Sequence, residues 1–346
     1  MKALVYRDGQ IRLEEASRPV LREGEALLRV KAAAICGTDL RIISHGHHLI
    51  PPGQPRILGH EVAGVIEEST PEAAHLAPGT PVAVAPNIHC GRCAQCLDGQ
   101  TLLCLDYQAL GIGLDGGFAE LMRLPAQAVR QGNVIPLKTG ADLGQAALNE
   151  PLSCCFNSLQ YTELSLGESI LIVGAGPIGV MHLLLAQKMG AALTMVSEIS
   201  DRRLAEVERF GPDLTINPAR ENLKRKVLEA TGGRGTDVAI VACPVAEAHN
   251  QALECLAPRG RLNFFGGLPQ DRPLTTIDAN RVHYNHLKIV GTTRQSLTQY
   301  RKTLKLVASG KLDLSGLITG RFSLEEAQEA FETARSGRGL KNIFEL

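Results

Sequence analysis

Residues 169–187 carry no charged side chain. A helix that crosses a bilayer needs about 20 predominantly apolar residues, so the length alone would suit a membrane span. Gly174, Gly176, Pro177 and Gly179 exclude that solution, because three glycines and a proline inside six residues break a helix in its middle. What remains is a short apolar strand, Ile170–Val173, then a tight turn, then a helix over Ile178–Met189. The turn spells G-x-G-x-x-G, and between a strand and a helix that spelling is the fingerprint of a dinucleotide site. Gly174 makes the turn, Gly176 lets the backbone approach a pyrophosphate, and Gly179 lets the helix pack on the strand. Pro177 and Ile178 open the helix, whose free N–H groups hold phosphate charge.

The next apolar strand, Leu193–Val196, leads to Glu198, 19 residues beyond Gly179. A carboxylate at that place accepts hydrogen bonds from the adenosine ribose hydroxyls and repels a 2′-phosphate, which favours NAD over NADP. Arg203 works the other way, since an arginine near that point can bind the phosphate; it equally suits a solvated helix start. A helix at Arg202–Phe210 and strands at Val238–Val241, Leu262–Phe265 and Leu287–Val290 continue a βαβα alternation. The fold class is α/β, with a doubly wound parallel sheet covered by helices on both faces. The first ~145 residues read differently. Short β-branched runs at residues 3–6, 27–30, 62–66 and 82–84 are separated by Pro and Gly. After the second region come a helix near Leu297–Ala308, another starting at Ser323 with Glu326 at capping-box spacing, and a closing strand, Lys341–Glu345.

Composition narrows the function. Lys+Arg and Asp+Glu are equal at 36 each, which gives no electrostatic reason to bind nucleic acid or an anionic membrane. The first residues lack the features of a signal peptide, so the expected compartment is the cytoplasm. In a reducing compartment the nine cysteines are read as thiols. Cys90, Cys93, Cys96 and Cys104 place four thiolates within fifteen residues, the donor set of a closed, structural zinc site. A second constellation is dispersed over Cys36-Gly-Thr-Asp39, Gly59-His-Glu61 and Asn149-Glu-Pro151. Sulfur, imidazole and carboxylate with one position left over suit a catalytic zinc, although spacing cannot bring the three segments together.

The ordered set of these motifs resembles the zinc-dependent medium-chain dehydrogenases over essentially the whole chain, most closely the sorbitol (polyol) dehydrogenase branch. The resemblance implies a GroES-like catalytic domain at residues 1–148 with the structural zinc lobe at 86–108. It implies a Rossmann domain at 149–291, a segment at 292–346 that returns to the first domain, and a cleft between the domains. Two zinc ions per chain and NAD are the implied cofactors. Carried over residue by residue, Cys36 and His60 ligate the catalytic zinc. Either Glu61 or Glu150 completes the set, and the two exchange roles in turnover. Thr38 relays the substrate proton, and Phe118, Glu150 and Arg294 join Thr38 at the substrate. The implied partner is a small polyol or alcohol, and the implied assembly a dimer or tetramer. The implied reaction is oxidation of a secondary alcohol to a ketone. L-threonine 3-dehydrogenase and simple alcohol dehydrogenase are the alternatives, and a non-catalytic dinucleotide-binding scaffold is a remote one. The threonine enzymes carry a histidine three residues before the first lobe cysteine, where this chain has Asn87. The segment Ser44–Arg56, expected near the substrate, holds His45, His47 and His48 and no aromatic residue.

Overall fold

Four apolar residues, Ile170 to Val173, preceded by Ser169, form a strand buried along its full length. A strand that is apolar on both faces belongs in the centre of a parallel sheet. In the computed structural model, which describes residues 1–346, it has parallel neighbours on both sides. Six parallel strands run in the order Leu214–Ile216, Leu193–Ser197, Ser169–Val173, Thr236–Val241, Leu256–Phe264, Lys288–Gly291. That is the doubly wound order of a Rossmann sheet, with its switch point at the strand that feeds the glycine turn. The helices between the strands start where short polar side chains cap them. Ser200 accepts from Arg203 N–H, and Asn222 from Arg225 N–H. Leu171, Val173, Met195, Ala239, Val241 and Leu262 build the core of this unit, Cys154–Arg294.

The other unit joins Met1–Ser153 to Gln295–Leu346. The division falls at 153/154 and 294/295, where the sequence reading placed 148/149 and 291/292. Its main sheet is mostly antiparallel. The Ala26–Ala34 strand pairs with Glu61–Ser69, with Leu121–Leu124 and with Lys341–Glu345. The last strand also runs parallel to Ile318–Phe322, so the end of the chain is built into the middle of the sheet. Leu28, Val30, Val62, Ile66 and Phe344 fill the core beneath it. Ser296 and Gln299 form a reciprocal capping box that starts the helix Leu297–Ala308. The Ser323–Glu326 box is formed too, but it caps a single 3-10 turn, Leu324–Glu326, and the helix proper is Ala327–Ser336. No helix is long and apolar enough to cross a membrane.

Candidate functional site

The register of one strand pair assembles the dispersed constellation. Glu61 sits opposite Ala34, so the strand that begins at Glu61 starts beside the place where Ala26–Ala34 gives way to Cys36. Cys36 caps the helix Gly37–His45: its Sγ accepts from Thr38 N–H at 3.5 Å, and its own N–H donates to Asp39 Oδ2 at 2.8 Å. His60 is delivered by Gly59, whose φ of +92° favours glycine. A Cβ there would also lie 2.5 Å from the Phe118 ring. One ligand atom each from Cys36, His60 and Glu61 falls within 4.8 Å of the others.

Three buried polar atoms in this cluster lack a hydrogen-bond partner: Asp39 Oδ1, His60 Nδ1 and Glu61 Oε2. Leaving such groups unsatisfied costs about 1–3 kcal/mol each, and more if charged. Asp39 and His60 compensate in part, since Oδ1 lies 3.5 Å from Nδ1 and both side chains are buried. Burial opposes a charged imidazole here, yet Asp39 and Cys36 outweigh it and hold His60 well above its ordinary pKa. Burial lifts the Glu61 carboxyl, Lys341 opposes that, and the charge of Glu150 adds to it. A soft sulfur, an imidazole backed by a carboxylate, and a carboxylate oxygen with no other partner form a donor set that fits a zinc ion. Glu150, buried in the first turn of the helix Asn149–Tyr161, stands outside the three-atom group while its charge is felt at Glu61. Thr38 is half-buried beside Cys36.

The four lobe cysteines also converge, with every Sγ within 4.8 Å of the rest. Cys90 N–H donates to Cys104 Sγ at 3.2 Å, and Cys93 N–H to Cys90 Sγ at 3.4 Å. The backbone at Leu105 and Cys96 pulls the Cys93 thiol down to about 6. N–H groups aimed at sulfur favour thiolates, the form that binds metal. All four donors are cysteine, so this lobe fits a closed, structural zinc.

At the glycine turn, a Cβ on Gly179 would stand 1.9 Å from Gly174 O, so helix and strand touch only because that side chain is absent. A Cβ on Gly176 would meet nothing within 4 Å, and the helix begins there with Pro177 and Ile178 in its first turn. Glu198 Oε2 accepts from Ala175 N–H at 3.0 Å and Oε1 from Ser200 N–H at 3.1 Å, which fixes the carboxylate against the turn. Arg203 lies 3.8 Å from it. The turn therefore presents an open backbone with a carboxylate at its rim, which fits a dinucleotide.

Two expected substrate residues fare differently. Phe118 is wholly buried, edge-on to Phe344 at 5.1 Å and to Phe331 at 5.9 Å. Its ring is the surface over which Gly59 turns, so the expectation that it touches substrate is corrected: it is core. Arg294 is half-buried with φ +62°, and its carbonyl accepts from Asn157 Nδ2 at 3.1 Å. His47 and His48 stack on each other at 4.3 Å and are not part of the three-atom donor group. Sequence reasoning missed Asp39 as the partner of His60, and Lys341, whose Nζ donates to Glu61 Oε1 at 2.6 Å. For Asp39 the signal was present, three residues after Cys36 at capping-box spacing.

Residues 22–136 match the alcohol dehydrogenase GroES-like domain, and residues 177–309 match the zinc-binding dehydrogenase domain. The chain belongs to the zinc-binding dehydrogenase family. An L-threonine 3-dehydrogenase from Pyrococcus horikoshii is 35% identical over 341 residues, covering 96% of this chain and 94% of that one. Among solved structures, one described as a zinc-binding dehydrogenase from Sinorhizobium meliloti, bound to NADP, superposes with a TM-score of 0.92 at 28% identity, covering 100% and 99% of the two chains. Galactitol-1-phosphate dehydrogenase from Escherichia coli gives 0.89 at 26% identity, covering 100% of both. The chain is thus an oxidoreductase of the zinc-dependent dehydrogenases, for which zinc and a nicotinamide dinucleotide are the expected cofactors.

Proposed function

We propose that this dehydrogenase oxidises a secondary alcohol that carries a polar group on the neighbouring carbon, with NAD as acceptor, giving a ketone, NADH and a proton. The observation that carries the reading is the convergence of Cys36, His60 and Glu61, with Glu61 Oε2 buried and unpartnered. Zinc in this donor set supplies Lewis acidity toward the alcohol oxygen, and NAD supplies the hydride acceptor. Asp39 holds the His60 ring in place. The Thr38 hydroxyl accepts the substrate proton and passes it outward, and Glu150 bounds the site as the alternative carboxylate ligand. The Cys90–Cys104 lobe holds the second zinc. Glu198 selects NAD by excluding a 2′-phosphate, with Arg203 neutralised against it.

The leading substrate is a 2-amino-3-hydroxy acid of the L-threonine type, supported by the relatives at 30–35% identity over nearly the whole chain. A vicinal polyol is the second reading, supported by Asn87 at the histidine position of the threonine enzymes. Its side chain is committed to structure: Oδ1 accepts from the Tyr107 hydroxyl, and Nδ2 donates to Gln295 O. Clustering of Cys90, Cys93, Cys96 and Cys104 as a metal donor set supports a reducing, cytoplasmic setting; a dimer or tetramer is part of the same proposal. The test is NADH formation with L-threonine, polyols, polyol phosphates and simple secondary alcohols. Turnover on L-threonine is expected, and turnover confined to one polyol series selects the second reading. Cys36→Ser should lose activity to background with the fold intact; full activity in that variant sinks the proposal.

A further inference from the structure

Lys341 lies on the closing strand, and its side chain is 5% exposed. Lysine is almost never buried so deeply unless it is paired. Its Nζ makes two bonds, to Glu61 Oε1 at 2.6 Å and to Ile35 O at 2.8 Å. Ile35 precedes Cys36 and Glu61 follows His60, so a single ammonium ties together the two segments that bring the sulfur and the imidazole. The backbone of the same strand adds a third tie, Ile35 N–H to Asn342 O at 2.9 Å. Glu61 thereby has one oxygen committed to Lys341 and one, Oε2, that is buried without a partner.

We propose that Lys341 is a positioning residue for the metal centre: it holds Glu61 as a one-oxygen donor and keeps the Cys36 and His60 segments at a fixed separation. The inference rests on the reading that Cys36, His60 and Glu61 bind a divalent metal. A neutral side chain at 341 frees the second oxygen of Glu61, which can then chelate through both oxygens or swing away. Either change alters the coordination of the ion, and partners behind the ligands typically contribute about 10–100-fold to metal affinity.

The test uses the full-length protein with cobalt(II) in place of zinc, taking the visible spectrum of Cys36→Ser as the background from the four-cysteine lobe. Lys341→Met should change the cobalt bands of the Cys36 site and speed metal loss to a chelator at least about tenfold. Lys341→Arg should keep the wild-type spectrum. In a Glu61→Gln background, adding Lys341→Met should speed metal loss by less than about tenfold, because only the bond to Ile35 O remains to be lost. That double variant removes both buried charges together, which is close to neutral for stability, so it serves if Lys341→Met alone does not fold. No cobalt signal above background in the wild type overturns the metal reading itself. A wild-type signal left unchanged by Lys341→Met, or a change of about tenfold or more in metal loss on adding it to Glu61→Gln, overturns the positioning role and leaves the metal reading standing.

Discussion

Phe118 lies behind the segment that delivers His60. Its ring lies under Gly59 and against Phe331 and Phe344, with no exposure. Phe118→Ala should therefore destabilise the protein by about 3–5 kcal/mol, as burial and a cavity dictate. It should leave KM for the alcohol nearly unchanged in the folded fraction, which denaturant unfolding and steady-state kinetics would separate. A raised KM with unaltered stability would restore a substrate role. The misplacement is instructive about single residues. The cysteines, His60 and the glycines were legible because their chemistry or spacing is unusual. Phe118 and Lys341 were not, because their partners are distant in sequence. Lys341 and Glu61 are 280 residues apart, and nothing local marks a lysine that will be buried.

Elements were easier to read than contacts. The helix Leu297–Ala308 and the strand Lys341–Glu345 run over the residues their patterns indicate, since periodicity and caps are local properties. The helix Pro177–Lys188 adds something its pattern does not reveal. It is buried nearly all round, and it carries His182 into the core. There the ring lies 3.1 Å from Ser158 Oγ and 2.8 Å from Ile178 O, edge-on to Phe265. Burial lowers its pKa to about 4, with the Ile178 carbonyl opposing weakly. An unfolded histidine titrates near ~6.5, so between that pH and about 4 the unfolded chain binds a proton the folded chain refuses. Stability is thus lost as pH falls through this window, by about 3 kcal/mol when complete, and the loss levels off below it. His182→Gln, which keeps hydrogen-bonding capacity, should lose less stability than the wild type between pH 7.5 and 5 in parallel melts. Equal losses would mean that the ring is not held neutral by burial.

At the scale of the whole molecule the chain is two units, and only one of them is continuous in sequence. The unit that holds the metal donors needs its last strand. Ile343 and Phe344 are fully buried, and the strand pairs on both sides. Truncation after Leu340 should therefore unfold the Met1–Ser153 and Gln295–Leu340 portion and abolish metal binding at Cys36. Dinucleotide binding by the Cys154–Arg294 unit should survive if that unit folds alone; the two are read by metal analysis and by fluorescence titration with NADH. Retention of the Cys36-site metal would show that the strand is dispensable.

The same arrangement orders events during synthesis. A chain emerging from the ribosome presents the whole of Cys154–Arg294 before it releases Lys341–Glu345, so the dinucleotide-binding unit can close first even though it is second in the sequence. The first 153 residues wait with their sheet open at the edge of Ala26–Ala34 that Lys341–Glu345 fills. The ties of Lys341 to Glu61 and Ile35 are then late ones, made only when that strand pairs. Until that moment the nascent chain exposes an unpaired strand edge, a template for pairing with another chain.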